Sequence, residues 1–150
     1  MAFYTLVSCS TFAPDKGGMT HNETPIVYNS DFTFKASFTY AYPLNGRPIQ
    51  LTAPYYIEVR NDTLYSYLPY IGRAGFLPYG GGKGLDFEAP ILRFDGRENT
   101  KKGSNMYYFE VQTPEDYHSY EIEVFHSNKV VRLDVFSRQR DMIRFEGYLD

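Results

Sequence analysis

The glycine-rich segment 68–87 has the residue types of a ligand-binding loop. It contains the triplet Leu-Pro-Tyr twice and six glycines. Proline restricts the backbone and glycine gives it conformational freedom, and this combination favours a long ordered loop. Consecutive backbone N–H groups from Gly80 to Gly84 could surround an anion, with Lys83 adding positive charge. However, the segment lacks the glycine and the Ser or Thr that a P-loop requires. We therefore favour a structural glycine loop over a phosphate site.

Arg73 lies among the tyrosines of this segment. A guanidinium group can stack on aromatic rings and hold a carboxylate, so Arg73 could anchor a ligand. It could equally hold the loop to the rest of the domain through Asp86 or a backbone carbonyl, and this structural role is favoured. The predicted ligand-binding residues are Tyr67, Tyr70, Arg73, Tyr79 and Lys83.

The remaining titratable residues form no catalytic or metal-binding pattern. Of the three histidines, His21 precedes the predicted domain, while His118 and His126 lie at opposite ends of one predicted strand, about 26 Å apart. Glutamates 110, 121 and 123 occupy outward positions of strands, which is typical of a solvated face. We predict no catalytic residue, metal or cofactor, and a protein that is not an enzyme.

Cys9 follows Leu6-Val7-Ser8, and this tetrapeptide has the form of a bacterial lipobox. A signal peptide needs basic residues and a longer apolar stretch before the cysteine, and neither is present here. Cys9 is therefore either a lipidation site, and then the only route to a membrane, or an incidental thiol. Residues 1–29 are predicted to be an arm, as the remnant of an export signal or a linker.

Composition favours one domain built of strands. The chain has 150 residues, 43% of them hydrophobic, with 15 Tyr, 12 Phe and 1 Cys. This length supports a single core, and aromatic side chains favour sheets. One cysteine excludes an internal disulfide framework. A net charge of -3 disfavours nucleic acid as a partner, and no apolar run reaches the length of a transmembrane helix.

Residues 30–150 are predicted to form a single all-β domain. Apolar and polar residues alternate from Phe32 to Tyr40, from Tyr55 to Arg60 and in several later runs. The Asn61-Asp62 turn aligns Val59 with Leu64, so both strands place apolar side chains on one face. About eight strands joined by short turns predict an antiparallel meander. We favour a lipocalin-like barrel over a sandwich, because closure removes the exposed edges.

A second hairpin is predicted around Ser127-Asn128. Pairing His126 with Lys129 places Val124 opposite Val131, Ile122 opposite Leu133 and Tyr120 opposite Val135, and Glu123 then meets Arg132 on the outer face.

Several tyrosines lie on the predicted outer face, beyond those that the core needs. Tyrosine offers a large contact area with a polar tip, so exposed rings indicate a contact surface. Alternatively, a second layer covers them. The tyrosines are Tyr56, Tyr65, Tyr67, Tyr108 and Tyr148.

Two stretches within the segment, Ser66-Tyr67-Leu68-Pro69-Tyr70-Ile71-Gly72-Arg73-Ala74 and Pro78-Tyr79-Gly80-Gly81-Gly82-Lys83-Gly84-Leu85-Asp86-Phe87, resemble the signature of the bacterial domain-of-unknown-function family forty-two fifty-one. The resemblance extends from Phe32 to Gly147. It implies a small exported protein of the Gram-negative envelope, periplasmic or lipid-anchored. It implies no activity, and it supplies no functional residue.

Two functions remain open. The first is a non-catalytic envelope protein that binds a partner protein, glycan or envelope surface through exposed tyrosines and the segment 68–84. The second is a carrier of a small apolar or aromatic ligand in the barrel, with that segment as lid and Arg73 as polar anchor.

Overall fold

A computed structural model describes residues 23–26, 28–29, 31–72 and 84–150. All regular elements in this part of the chain are strands. They are β1 (Glu23–Pro25), β2 (Phe34–Pro43), β3 (Ile49–Arg60), β4 (Thr63–Leu68), β5 (Leu85–Asn99), β6 (Ser104–Gln112), β7 (Tyr117–Phe125), β8 (Val130–Ser137) and β9 (Ile143–Leu149).

Strands β2 to β9 form a closed antiparallel barrel in which each strand pairs with the next along the chain. The ring closes between β2 and β9, where Ala36 pairs with Leu149 and Pro43 with Ile143. The all-β prediction is confirmed, and so is the choice of a barrel over a sandwich. Closure gives each of the eight strands a partner on both sides over at least part of its length, which is the physical reason for expecting it.

The predicted hairpin registers are confirmed. Val59 pairs with Leu64 across β3 and β4, and Asn61 and Asp62 take positive φ angles of 50° and 56° in the turn. Between β7 and β8 the structure gives the three predicted inward pairs and Glu123 opposite Arg132. Alternation therefore determined both the face and the partner of each strand here.

One inward position in β2 was predicted wrongly. The alternation from Phe32 placed Tyr40 in the core, but Tyr40 is 41% exposed and Ala41 is fully buried. The register of β2 shifts between Phe38 and Tyr40 against both neighbouring strands. Such a bulge adds one residue and reverses the faces that follow it, and nothing in the local sequence marks its position.

β5 pairs with three other strands, β4, β6 and β1, over different parts of its length. Leu85 to Pro90 pairs with β4, and the rest of the strand pairs with β6, with a register shift between Ile91 and Arg93. The shift directly follows Pro90, and proline within a sheet is typically found at such a bulge. The last residues of β5 also pair with β1, which among the described strands is the one outside the ring.

Part of the predicted arm packs on the domain. β1 pairs with β5 over residues 97–99, and Ile26 N–H donates to the carbonyl of Gly96. Tyr28 packs its ring 4.5 Å from that of Phe94. The segment that was predicted to be an arm or a linker thus contains a short strand. Three residues that include a proline are too few to show a strand pattern.

Side chains fill the middle of the barrel. The largest fully buried ones come from seven of the eight strands of the ring, β3 to β9. They are Tyr120, Phe109, Phe145, Ile57, Leu64, Leu85, Ile122, Leu133 and Ile143. The barrel is thus closed around a packed core. Grooves lie at its two ends, and another, of about 500 Å³, lies along β5 and β6 on the outer face.

Candidate functional site

The two ends of the barrel differ in their connections. We call the loop end the one at which β4 finishes at Leu68 and β5 begins at Leu85, and the turn end the one that carries the Asn61-Asp62 turn. Two predicted site residues, Tyr67 and Tyr70, lie at or near the loop end. Three others, together with the predicted lipidation site, lie outside the described residues. These are Arg73, Tyr79, Lys83 and Cys9.

Tyr67 and Tyr70 are not brought together as one site. Tyr67 is 38% exposed on the outer face, with its ring 5.3 Å from that of Tyr55. Tyr70 is half-buried at the loop end, where its hydroxyl donates to the carbonyl of Asp141 over 3.2 Å. Burial raises the pKa of Tyr70. Only Tyr70 therefore belongs to the cluster described next.

The turn between β8 and β9 is held by a buried carboxylate. Asp116, at the end of the β6–β7 connection, accepts the backbone N–H groups of Tyr117, Arg138 and Gln139 at 2.7, 3.2 and 3.1 Å. These charge-assisted bonds fix the turn against the barrel end. The next residue of the turn, Arg140, is thereby held inside the protein.

Arg140 is a buried cation with few partners. Its side chain is 2% exposed, and Nη2 lies 3.9 Å from Glu115 Oε2. Its guanidinium lies over the ring of Tyr70 at 5.0 Å. Among the residues that the structure describes, Nε and Nη1 have no hydrogen-bond partner. Buried polar atoms are nearly always hydrogen-bonded, so this arrangement is unusual.

His118 lies in the same cluster but has partners. Its Nδ1 is 2.7 Å from Ser137 Oγ, and its ring stacks on Phe87 at 5.1 Å. Burial lowers the pKa of His118 to about 4; nearby Asp116 opposes this effect and Arg140 adds to it. The imidazole is therefore neutral at pH 7, and Arg140 supplies the positive charge at this end.

A cavity of about 310 Å³ opens beside this cluster. One of its wall residues, Glu115, has Oε2 3.9 Å from Arg140 Nη2, and a Cβ atom added at Gly84 would lie 3.8 Å from Nη1. Arg140 itself is not among the described residues that line the cavity. Its wall is formed by Gly84, Asp86, Phe87, Thr113, Pro114 and Glu115.

The turn end holds a larger groove of about 590 Å³. Its lining combines apolar side chains with charged ones of both signs. Phe34, Val124 and Leu149 are among the apolar residues, and the polar ones include Lys35, Arg60, His126 and Lys129 together with the acids Glu58 and Asp150.

The predicted outward tyrosines are covered to different degrees. Tyr148 is 55% exposed and Tyr67 38%, while the other three are half-buried. Cationic side chains lie over those three rings: Arg60 over Tyr65, Lys35 over Tyr56 and Arg93 over Tyr108. Long charged side chains therefore cover part of this surface. The predicted alternative, a second layer formed by the arm or the long loop, falls mostly outside the described residues.

Glu110 stands on the outer face as predicted, but within a network. The hydroxyls of Tyr108 and Tyr117 donate to its carboxylate, and these bonds lower the pKa of Glu110. Arg93 lies 3.6 Å away. A carboxylate held ionised by two donors stabilises the surface and is a poor general acid.

Within the described ranges, no three His, Cys, Asp or Glu side chains come together as ligands for a metal ion. No helix in that part of the chain is long and apolar enough to span a membrane.

Sequence reasoning missed Arg140 and Asp116. Arg140 follows β8 in a polar stretch, where a charged side chain is normally exposed. Its burial depends on two turns from different parts of the chain meeting at one barrel end, and the sequence carries no local signal of that contact.

Comparison with known proteins identifies the family. The model of the family described as Domain of unknown function (DUF4251) matches residues 19–149, so the chain belongs to this family. The resemblance found from the sequence is thereby confirmed. A search of curated proteins finds none that matches this chain.

Proposed function

We propose that this protein is a non-catalytic binding protein of the cell envelope that carries a small amphipathic acid in the groove at the turn end. The groove's size and its apolar lining residues support the binding role. The envelope location rests on the implication of the family resemblance and on the lipobox-like sequence before Cys9.

The observation that supports this proposal most directly is that the apolar core is most exposed to solvent at the turn end. Phe34 and Val124 are 7% and 6% exposed, whereas every other apolar core residue is at most 3% exposed. Both line the groove, beside the half-buried Leu149. An alkyl or aromatic group placed there would cover apolar surface that the protein's own side chains leave partly open.

The positive charge of Lys129 on the rim of the groove favours a ligand with an acidic head group. Lys35 lies 4.0 Å from Asp150 and Arg60 lies 3.2 Å from Glu58, so these cations are paired. Lys129 makes no ion pair with any described residue, and it is exposed on the rim next to His126 in the lining. A carboxylate head near Lys129 would gain a charge partner that the protein does not provide.

The packed middle of the barrel limits how deep a ligand could lie. Tyr120, Phe109 and Phe145 are fully buried there, so the ligand would rest in the open end instead of inside the ring. A volume of about 590 Å³ lies within the usual range for small-molecule sites.

The test uses dodecanoate and its uncharged analogue dodecanol as probes, with affinities measured by calorimetry and the site mapped by NMR. We expect saturable binding of both, with shifts at Val124 and Leu149. Lys129→Glu should weaken dodecanoate about ten-fold and leave dodecanol unchanged, because it reverses one rim charge only.

Arg47→Glu is the matched control, since Arg47 is exposed in the β2–β3 connection, outside the groove lining. It should change neither affinity. Absence of saturable binding by both probes would refute the proposed function. Equal loss of both probes in Lys129→Glu would refute the placement of the acid head.

A second candidate is contact with a partner protein through the outer tyrosines. Its support is a row across four strands, in which Tyr148 and Tyr56 each pair with Ser37, and Tyr56 pairs with Tyr67. If this surface serves such a partner, Tyr148→Ala should reduce capture of that partner from envelope extracts and leave dodecanoate affinity unchanged. Unaltered capture would remove this candidate.

A further inference from the structure

The groove of about 500 Å³ on the outer face, along β5 and β6, carries charges of both signs. The described part of its lining contains three acids and two arginines around the methionine and tyrosine side chains of β6. Met106 is 40% exposed there although it is apolar. The volume lies within the usual range for small-molecule sites. Of its described lining residues, the groove shares only Tyr107 with the groove at the turn end.

The strand register arranges charged side chains around Tyr108. Tyr108 pairs with Asp95 of β5 on one side and with Glu121 of β7 on the other. Arg93 lies two residues before Asp95 on the same face of β5, and its guanidinium is 5.7 Å from the centre of the Tyr108 ring. Because neighbouring strands are about 4.8 Å apart, β5 and β7 are separated by about 10 Å. Arg93 and Glu121 thus line the groove from β5 and β7, with Tyr108 of β6 between them.

One acid of the lining is left without a partner. Arg97 contacts both Asp95 and Glu23, at 3.2 and 3.5 Å, so these three side chains neutralise one another. Glu121, by contrast, is exposed and makes no ion pair or side-chain hydrogen bond with any residue that the structure describes. A positively charged ligand group beside Glu121 would supply the missing partner.

Arg93 is the cation of the lining with the weakest contacts. Its side chain is 65% exposed and lies 3.6 Å from Glu110, beyond hydrogen-bond distance. The carboxylate of Glu110 already accepts the hydroxyl groups of Tyr108 and Tyr117. Arg93 can therefore turn to a ligand without leaving Glu110 unsatisfied. Its planar guanidinium matches a carboxylate through two parallel hydrogen bonds.

From these observations we propose that this groove binds a short peptide by its two charged ends. The N-terminal ammonium group lies at Glu121, the C-terminal carboxylate lies at Arg93, and the body of the peptide crosses Tyr108 and Met106. Three extended residues span about 10 Å, which matches the separation of β5 and β7. Lining charges of both signs favour such a zwitterion, because a ligand with a single charge would meet its own sign without the compensating opposite contact.

The probe is the tripeptide Ala-Leu-Ala with free termini. Its matched forms are the N-acetylated and the C-amidated peptide, each of which lacks one charge. NMR titration measures the affinities and locates the site. We expect saturable binding, with shifts at Met106 and Tyr108 and none at Val124 and Leu149 of the turn-end groove. Each modification should weaken binding about three-fold, because charge pairs on an exposed surface are weak.

Two variants assign the ends of the peptide. Glu121→Gln should remove the effect of acetylation and keep the effect of amidation, and Arg93→Gln should do the reverse. Both side chains are exposed, so both variants should retain the fold. Glu88→Gln and Arg47→Gln are the controls, since both residues are exposed and lie outside the described lining of the groove. They should leave all three affinities unchanged.

Three results would overturn the proposal. One is the absence of saturable binding at Met106 and Tyr108. Another, which needs no variant, is a free peptide that binds no more tightly than its acetylated and amidated forms. The third is that the effects of acetylation and amidation persist in Glu121→Gln and Arg93→Gln. None of these results bears on dodecanoate at the turn end, so the two proposals are tested separately.

Discussion

Gly147 of β9 and Ser37 of β2 approach so closely that no side chain fits between them. A Cβ atom on residue 147 would lie 1.9 Å from the Ser37 carbonyl oxygen and 2.6 Å from the Phe38 Cα. This contact lies where the barrel closes, next to the bulge in β2. A glycine here is therefore required by space, and not by backbone angle.

Gly147→Ala should lower the free energy of unfolding by at least about 3 kcal/mol, because the obstructing atoms belong to backbone that cannot turn aside. Chemical denaturation measures the loss. Gly103→Ala is the control: Gly103 has a φ of 62° and no atom within 4 Å of its added Cβ, so only about 1 kcal/mol of backbone strain is expected. Equal losses in both variants would contradict the steric explanation.

Phe109→Ala should cost about 3–5 kcal/mol of stability, since Phe109 is fully buried and its removal leaves a cavity in the core. Leu92→Ala, in the neighbouring strand, should cost less than about 0.5 kcal/mol, because Leu92 is 58% exposed. Both are measured by urea unfolding. A loss below 1 kcal/mol for Phe109→Ala would show that the face assignment of β6 is wrong.

Ser66 and Tyr120 form a buried pair of hydroxyls 3.0 Å apart, and Ser66 also bonds the carbonyl of Leu85 at 2.7 Å. Ser66→Ala leaves the Tyr120 hydroxyl buried without a partner and should cost about 1–3 kcal/mol. Tyr120→Phe leaves Ser66 its bond to Leu85 and should cost about 1 kcal/mol or less. Thermal and urea unfolding measure both, and a reversed order would refute the predicted asymmetry.

His118 should make the fold sensitive to acid. Its folded pKa is about 4, below the 6.5 of an exposed histidine, so between these values the unfolded chain binds more protons. The contribution of His118 to the free energy of unfolding is therefore fully present above pH 6.5. It decreases by at most about 3 kcal/mol as the pH falls to 4. Its environment includes Asp116, Arg140 and Ser137.

The measurement is the free energy of unfolding from pH 7 to pH 4 for the wild type and His118→Gln. Carboxylates titrate in both proteins, so the difference between the two curves isolates the histidine. That difference should shrink steadily as the pH falls. Parallel curves over the whole range would mean that His118 is protonated in the folded protein at pH 4 to 6.5.

Much of the fold could be predicted from residue order because its determinants are local. The alternation of Tyr120, Ile122 and Val124 defines a face, and a short turn to Lys129 then fixes the partner of each residue. The bulge before Tyr40 could not be predicted, because it arises from the meeting of β2 with two strands distant in the chain.

The loop-end cluster shows the same limit more strongly. Tyr70 was identified because prolines, glycines and tyrosines concentrate around it. Arg140 was missed because its burial depends on a residue 24 positions earlier. The carboxylate of that residue, Asp116, accepts hydrogen bonds from the turn that contains Arg140. Arg73, Tyr79 and Lys83 remain predictions, since they lie outside the described residues.

The pairing of β2 with β9 places residue 34 and residue 150 on the same side of the molecule, and the backbone N–H of Asp150 donates to the carbonyl of Lys35. A short peptide could therefore join these positions while the chain is cut open at the 126–128 turn. Such a circular permutant would retain all eight pairings between adjacent strands of the ring. The ring of pairings thus does not depend on which connection between neighbouring strands is left open.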